Sequence, residues 1–248
     1  EELITLRDEF AKKMELIDDS DGTLKHLERE CAKALALLER EGNALRDARL
    51  RVKDQLGREV AETLRTLGIP YAHFEVNVQP LNEWKAQGGD AVEFQFTANR
   101  NSLPQPLVKV ASGGEMSRIM LSLKRIMALG HQLPTIIFDE IDTGVSGGVA
   151  SQLGDIMEEM SLRMQVINIT HLPQIASCGQ HHYRVYKEHS DERTTTHIAL
   201  LTDSERREEI AKMLSGASIT ASALSNADEL LKARSTRLKT IKEKQTKR

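Results

Sequence analysis

Aromatic side chains make up only 4% of this 248-residue chain, while charged residues make up 29%. That balance suits a long solvated helix attached to an ordinary core. Cysteine is nearly absent. Cys31 and Cys178 stand far apart, so no disulfide framework follows, which fits a reducing cytoplasm. Cys178 lies near His181 and His182, but one Cys and two adjacent His give neither of the usual paired spacings for zinc. No apolar run reaches the length of a membrane span, and no signal peptide opens the sequence, whose first residues read as internal. The net charge of −3 creates no global field for nucleic acid, so such contact needs a local patch. No Gly is followed by Lys, which excludes the Gly-x-x-x-x-Gly-Lys loop that cradles nucleotide phosphates. There is also no proline before Pro70.

That proline-free stretch carries a helical pattern. Leu24, Leu27, Cys31, Ala34, Leu38, Leu45, Ala48 and Val52 step by threes and fours, a heptad seam with Glu41 and Gln55 as polar interruptions. The seam drifts by one residue to Leu56, Val60, Leu64 and Leu67. A helix over 23–66 measures roughly 65 Å at 1.5 Å per residue and needs a partner helix along its length. Asp18-Asp19-Ser20-Asp21-Gly22 reads as a break after a shorter amphipathic segment containing Leu3, Leu6, Phe10, Met14 and Ile17. Residues 1–67 are thus expected to form an arm and 68–248 a globular body. A surface helix pair folded on that body is the plainer alternative.

After Pro70 the period changes to two. His73–Val78 and Ala91–Phe96 alternate polar and apolar around Gly88-Gly89-Asp90, predicting an antiparallel pair with its turn there. A helix over 115–129, a strand over 135–138, a helix over 148–160 and a strand over 165–169 give βαβ alternation and hence a parallel sheet. Strands near 182–187 and 194–200 and helices over 204–214 and from 219 onward complete an α/β body. The closing run of Lys232, Arg234, Arg237, Lys239, Lys242, Lys244, Lys247 and Arg248 is a basic patch or simply a solvated end.

Two segments carry chemistry. Ser112-Gly113-Gly114-Glu115 opens a helix: its glycines allow close backbone approach, and the helix start directs free N–H groups at an anion. An ordinary capped helix begins the same way. Thr135-Ile136-Ile137-Phe138-Asp139-Glu140 is an apolar strand that delivers two carboxylates to the carboxyl edge of a parallel sheet, where ligands bind. Asp142 follows, and His171 ends the next strand. Together these segments resemble the signature motif, Walker B strand, D-loop and switch histidine of ATP-binding-cassette ATPases.

The resemblance narrows further. Lys109–Leu121, Ile137–Gly147, Thr170–Ala176 and Glu209–Gly216 are similar to the corresponding segments of the RecN family of bacterial DNA-repair proteins, which are SMC-like. One departure is Arg100-Asn101-Ser102, where a Pro-Gly or Lys-Gly turn is expected. The resemblance implies the C-terminal half of an ABC-type ATPase head with a long antiparallel coiled-coil arm, acting on ATP and Mg²⁺ in double-strand-break repair. It implies Asp139 as the Mg²⁺ residue, Glu140 and His171 as catalytic, and Ser112, Gly113, Gly114, Glu115 and Asp142 as nucleotide contacts. Implied partners are an N-terminal half carrying Walker A, a second head and DNA, with a cytoplasmic, nucleoid-associated location. The chain by itself is expected to be inactive. A tethering or dimerisation module of another SMC- or Rad50-like chromosome protein is the alternative, and a transporter subunit is disfavoured by the arm.

Overall fold

The computed structural model describes every residue except 1, 111, 131–132, 140, 190–192, 217 and 247–248, and leaves undescribed the side chains of 15–21, 110, 129, 189 and 235–246. The chain divides into two compact units, residues 1–54 with 76–93 and residues 55–75 with 94–248.

Helix α1 (Glu2–Thr66) runs without interruption. The expected break at Asp18–Gly22 is absent, which corrects the sequence reading. Asp, Ser and Gly each cost a helix only about 0.5–1 kcal/mol, and with no proline present good helix on both sides carries through. In the first unit the heptad seam is open to solvent: Leu24, Leu27, Leu38 and Val52 are all exposed.

The hairpin is also longer than its alternation suggests. Strand β1 (His73–Lys85) and strand β2 (Gly88–Thr97) turn at Ala86-Gln87, so Gly88-Gly89-Asp90 lies inside a strand and not at the turn. Pro80 is tolerated because β1 is the edge strand of the β1-β2-β3 sheet, with β3 the short segment Gln105–Pro106. Gly42, Leu45, Arg46 and Arg49 share one face of α1, and the hairpin tip docks there. The Trp84 indole lies so close to Gly42 and Gly89 that a Cβ at either would overlap it, at 2.0 and 2.6 Å. Glycine in mid-helix is unfavourable by about 1 kcal/mol, and this contact is the reason for it.

Asp90 is buried beneath two guanidiniums: Arg46 Nε donates to its Oδ1 at 2.6 Å and Arg49 Nη1 to its Oδ2 at 3.2 Å. Burial pushes its carboxyl up, but the two arginines outweigh it and hold the group below its ordinary 3.8. A depressed carboxyl contributes stability above its unfolded pKa that is lost as pH falls through the folded one. The hairpin is therefore expected to release α1 only below about pH 4. Fluorescence of Trp84, the chain's single tryptophan, reports this directly. An Asp90→Asn protein should show the released signal already at pH 7.

In the second unit, α2 (Leu107–Val110) leads to α3 (Gly113–Gly130), followed by β4 (Thr135–Asp139), α4 (Gly147–Ser161), β5 (Gln165–Ile169) and the short α5 (Pro173–Ala176). Strands β4 and β5 pair in parallel with Ile137 opposite Ile167 and Asp139 opposite Ile169, as the βαβ pattern requires. The core joins Leu67, Leu121, Phe138, Leu153, Met157 and Ile175. Arg125 of α3 fixes its helix from two sides, pairing with Glu159 of α4 at 2.7 Å and donating to Thr63 Oγ1 at 3.2 Å. An antiparallel hairpin, β6 (Tyr183–His189) and β7 (Thr194–Leu200), precedes α6 (Asp203–Ser215) and α7 (Ala221–Thr246). Helix α6 opens on a capping box in which Thr202 and Glu205 bond reciprocally. Arg207 holds Asp228 of α7 through two bonds of 2.6 and 2.8 Å. Of the basic terminal run, Arg234 pairs with buried Glu158 on α4 at 3.4 Å, and the side chains from 235 onward lie outside the described residues. Among the described residues no helix is long and apolar enough to cross a membrane.

Candidate functional site

Strand β4 is built from β-branched and aromatic residues that alternate in burial. Ile136 and Phe138 face the core, while Ile137 is exposed. The parallel ladder sets the ends of β4 and β5 side by side, so the turn after Asp139 meets the turn after Ile169. Asp139 sits exposed at that edge. Glu140, the sequence-predicted catalytic carboxylate, lies outside the described residues.

Beyond it the chain turns back at Asp142–Val145, closed by Val145 N–H donating to the Asp142 carbonyl at 3.0 Å, with Gly144 at φ 74° supplying the left-handed residue. Asp142 itself has no exposed surface. Its carboxylate accepts the Thr170 hydroxyl, and its Oδ2 lies 3.6 Å from His171 Nδ1. Thr170 Oγ1 in turn accepts the Leu172 N–H at 3.0 Å. His171 is 68% exposed. Three sequence-predicted residues thus converge on one sheet edge, but Asp142 faces inward in this arrangement. In the sequence Thr170 stands only as part of a motif, and a hydroxyl residue immediately before a strand-end histidine is the signal for its role.

Ser112 and Glu115 form a reciprocal cap at the start of α3. The Ser112 N–H and hydroxyl both donate to Glu115 Oε2 at 2.9 Å, and the Glu115 N–H reaches Ser112 Oγ at 3.4 Å. The Ser112 hydroxyl is therefore held within the chain here. The glycines behave differently. A Cβ at Gly113 would meet nothing within 4 Å, and its φ is not left-handed. Among the described residues, neither packing nor backbone conformation asks for glycine at 113. A Cβ at Gly114 would come 3.4 Å from the Thr143 carbonyl, which places the signature turn beside the loop that follows β4. A shallow groove lined by Met116, Ser117, Met120, Ile137 and Asp139 runs along the same edge.

Apolar surface is also left open among the described residues of the second unit. Ile137, Ile167 and Ile169 share the outer face of the β4–β5 pair and are 59%, 42% and 53% exposed. On the β6–β7 hairpin, Tyr183, Val185, Ile198 and Leu200 form a second exposed strip, with Tyr183 opposite Leu200 and Val185 opposite Ile198. Contiguous apolar faces of this kind mark interaction surfaces.

No family model matches the sequence. Among characterised proteins, the DNA repair protein RecN of Haemophilus influenzae is 37% identical over 217 residues, 87% of this chain and 39% of that protein. RecN of Deinococcus radiodurans is 36% identical over 231 residues, 93% and 40% respectively. RecN of Halalkalibacterium halodurans is 38% identical over 224 residues, 89% and 40%. The chain therefore spans about two fifths of the length of these relatives. Among solved structures, the Smc head domain with a coiled coil and joint from Pyrococcus yayanosii superposes with a TM-score of 0.53 at 16% identity, covering 68% of this chain and 31% of that one. The Pyrococcus furiosus Smc head domain with an extended coiled coil, solved bound to the C-terminal domain of ScpA, gives 0.51 at 16% identity over 72% and 41%. The fold is that of an SMC head, an α/β arrangement that here includes the long helix α1.

Proposed function

The chain belongs to the RecN family over the region it shares with those relatives, and we propose that it supplies the signature turn and acidic strand of an SMC-like ATPase head acting in DNA double-strand-break repair. The observation that carries this reading is Gly113: a glycine at a helix start, facing open space, that the chain's own packing does not require. Close approach of a phosphate from outside is what such a position allows.

The donor set fits a magnesium nucleotide. Asp139 presents an exposed carboxylate at the carboxyl edge of a parallel sheet, the hard oxygen ligand that Mg²⁺ takes directly or through water. The bound nucleotide would supply the terminal phosphoryl group that water attacks, with the nucleoside diphosphate as the leaving group. Asp139 would hold the cation, Glu140 would polarise the water and His171 would face the terminal phosphate. The Ser112–Glu115 turn would direct its N–H groups at the nucleotide of a second head. The exposed strips at Ile137, Ile167 and Ile169 and at Tyr183, Val185, Ile198 and Leu200 support coverage by a Walker A-bearing portion of the head. DNA engagement, nucleoid association and pairing of the arm's heptad seam with an antiparallel helix belong to the same reading.

The test is ATP turnover of this chain alone, of the separately expressed Walker A-bearing portion and of the mixture, with Glu140→Gln as control. The chain alone should be inactive, because it has no lysine-bearing phosphate loop. The mixture should hydrolyse ATP, and Glu140→Gln should reduce that rate by on the order of 10²-fold or more, the scale of losing a general base. Turnover by the isolated chain, or a mixture indifferent to Glu140→Gln, would sink the proposal.

A further inference from the structure

We infer that Asp142 is a positioning residue for His171, setting the imidazole from inside the chain and not reaching outward to a nucleotide. This rests on the ATPase reading above and deepens it.

A carboxylate with no exposed surface is costly to bury, and Asp142 has little to offset that cost. One of its oxygens takes the Thr170 hydroxyl, while the other, Oδ1, has no hydrogen-bond partner among the described residues. A neutral Asn or Ser would close the same turn and accept the same hydroxyl without the penalty. The charge has its use 3.6 Å away, where His171 Nδ1 faces Oδ2. That separation is just beyond a hydrogen bond, and active-site contacts of this sort tighten when substrate arrives. A carboxylate beside Nδ1 fixes the ring's orientation and leaves Nε2 on the side away from Asp142.

The chain has built this contact into its topology. Asp142 sits in the turn after β4, and Thr170 and His171 follow β5, the parallel neighbour. Thr170 secures both sides by donating to Asp142 and accepting from the Leu172 N–H, so the histidine loop cannot shift without breaking the bond to the turn after β4. A change at Asp142 is thereby transmitted to His171 although Asp142 touches no ligand.

The experiment is a double-mutant cycle in the ATPase assembled from this chain and its Walker A-bearing complement. Wild type and Glu140→Gln are measured first: if no Glu140-dependent turnover appears, the ATPase reading falls, a different result from any outcome of the cycle. Asp142→Asn keeps the size and the Thr170 contact but removes the charge. Its kcat should fall about ten- to a hundredfold, the range seen when a group orienting a histidine is lost, with KM for ATP unchanged. In a His171→Ala background the same substitution should cost nothing further. A wild-type kcat in Asp142→Asn, or the same fold-loss with and without His171, overturns the inference. If Asp142→Asn does not fold, Thr170→Val enters the cycle in its place. Additivity with His171→Ala then overturns the inference, and non-additivity supports it.

Discussion

Replacing Gly113 with alanine is expected to leave the chain as stable as before and to reduce ATP turnover of the assembled head by on the order of 10²-fold, the effect of spoiling one preorganised donor site for a developing charge. The two halves of this result come from one geometric fact. A Cβ at 113 meets nothing within 4 Å, and the residue does not occupy a left-handed conformation, so folding has no reason to resist a methyl group. Alanine is, if anything, the better helix former by up to about 1 kcal/mol. On the proposed reading, the methyl group would stand where a phosphate approaches the N–H groups of the first turn of α3. Denaturant unfolding of this chain and turnover of the assembled head are the paired measurements. A loss of stability matching the loss of turnover would mean that Gly113 serves packing, and unaltered turnover would mean that nothing approaches it.

The second large effect concerns stability alone. Arg206 of α6 is only 7% exposed, and its guanidinium serves as a plug for the end of α5. Nη2 donates to the carbonyls of Ser177 at 2.8 Å, Gly179 at 2.6 Å and Ala176 at 3.4 Å, and Nη1 to that of Gln180 at 3.5 Å. These carbonyls lie at and beyond the helix C-terminus, where backbone donors run out; of the four, Ala176 also accepts the Gly179 N–H at 3.4 Å. Burial lowers the Arg206 pKa, and the nearby positive charge of Arg234 lowers it further. Arg206→Met keeps the length of the side chain but removes the guanidinium donors from the carbonyls of Ser177, Gly179 and Gln180. The expected loss is about 3 kcal/mol, the low end for breaking a buried charged network, because removing the cation also relieves its repulsion with Arg234. Chemical denaturation of the isolated chain measures it. A change below about 1 kcal/mol would show water replacing the guanidinium at no net cost.

Each success and failure of the sequence reading has a physical cause. Periodicity placed β4, α4 and β5 in a parallel βαβ unit because an apolar strand followed by a 3.6-residue pattern has few other ways to bury itself. It failed at Asp18–Gly22, where several poor helix formers in a row resemble a break but carry only small penalties. It failed again at Gly88–Asp90, where glycines that look like a turn serve strand β2: Gly89 makes room for Trp84, and Asp90 meets Arg46 and Arg49. The arginines that explain Asp90 are more than forty positions away in the chain, beyond the reach of any local pattern. Thr170 was passed over for the same reason, since its role is defined by Asp142, twenty-eight residues earlier.

The sequence by itself determined the order of elements, the α/β class, the positions of the candidate segments at 112–115, 139–142 and 171, and the absence of a Gly-Lys phosphate loop from these 248 residues, because each is written in contiguous residues. Only the tertiary structure decided that Asp142 faces inward to Thr170 and His171, that Gly113 faces open space and that the β4–β5 and β6–β7 faces stand uncovered. Those properties depend on which distant segments share a boundary, and burial is a relation between segments that no single stretch of sequence contains.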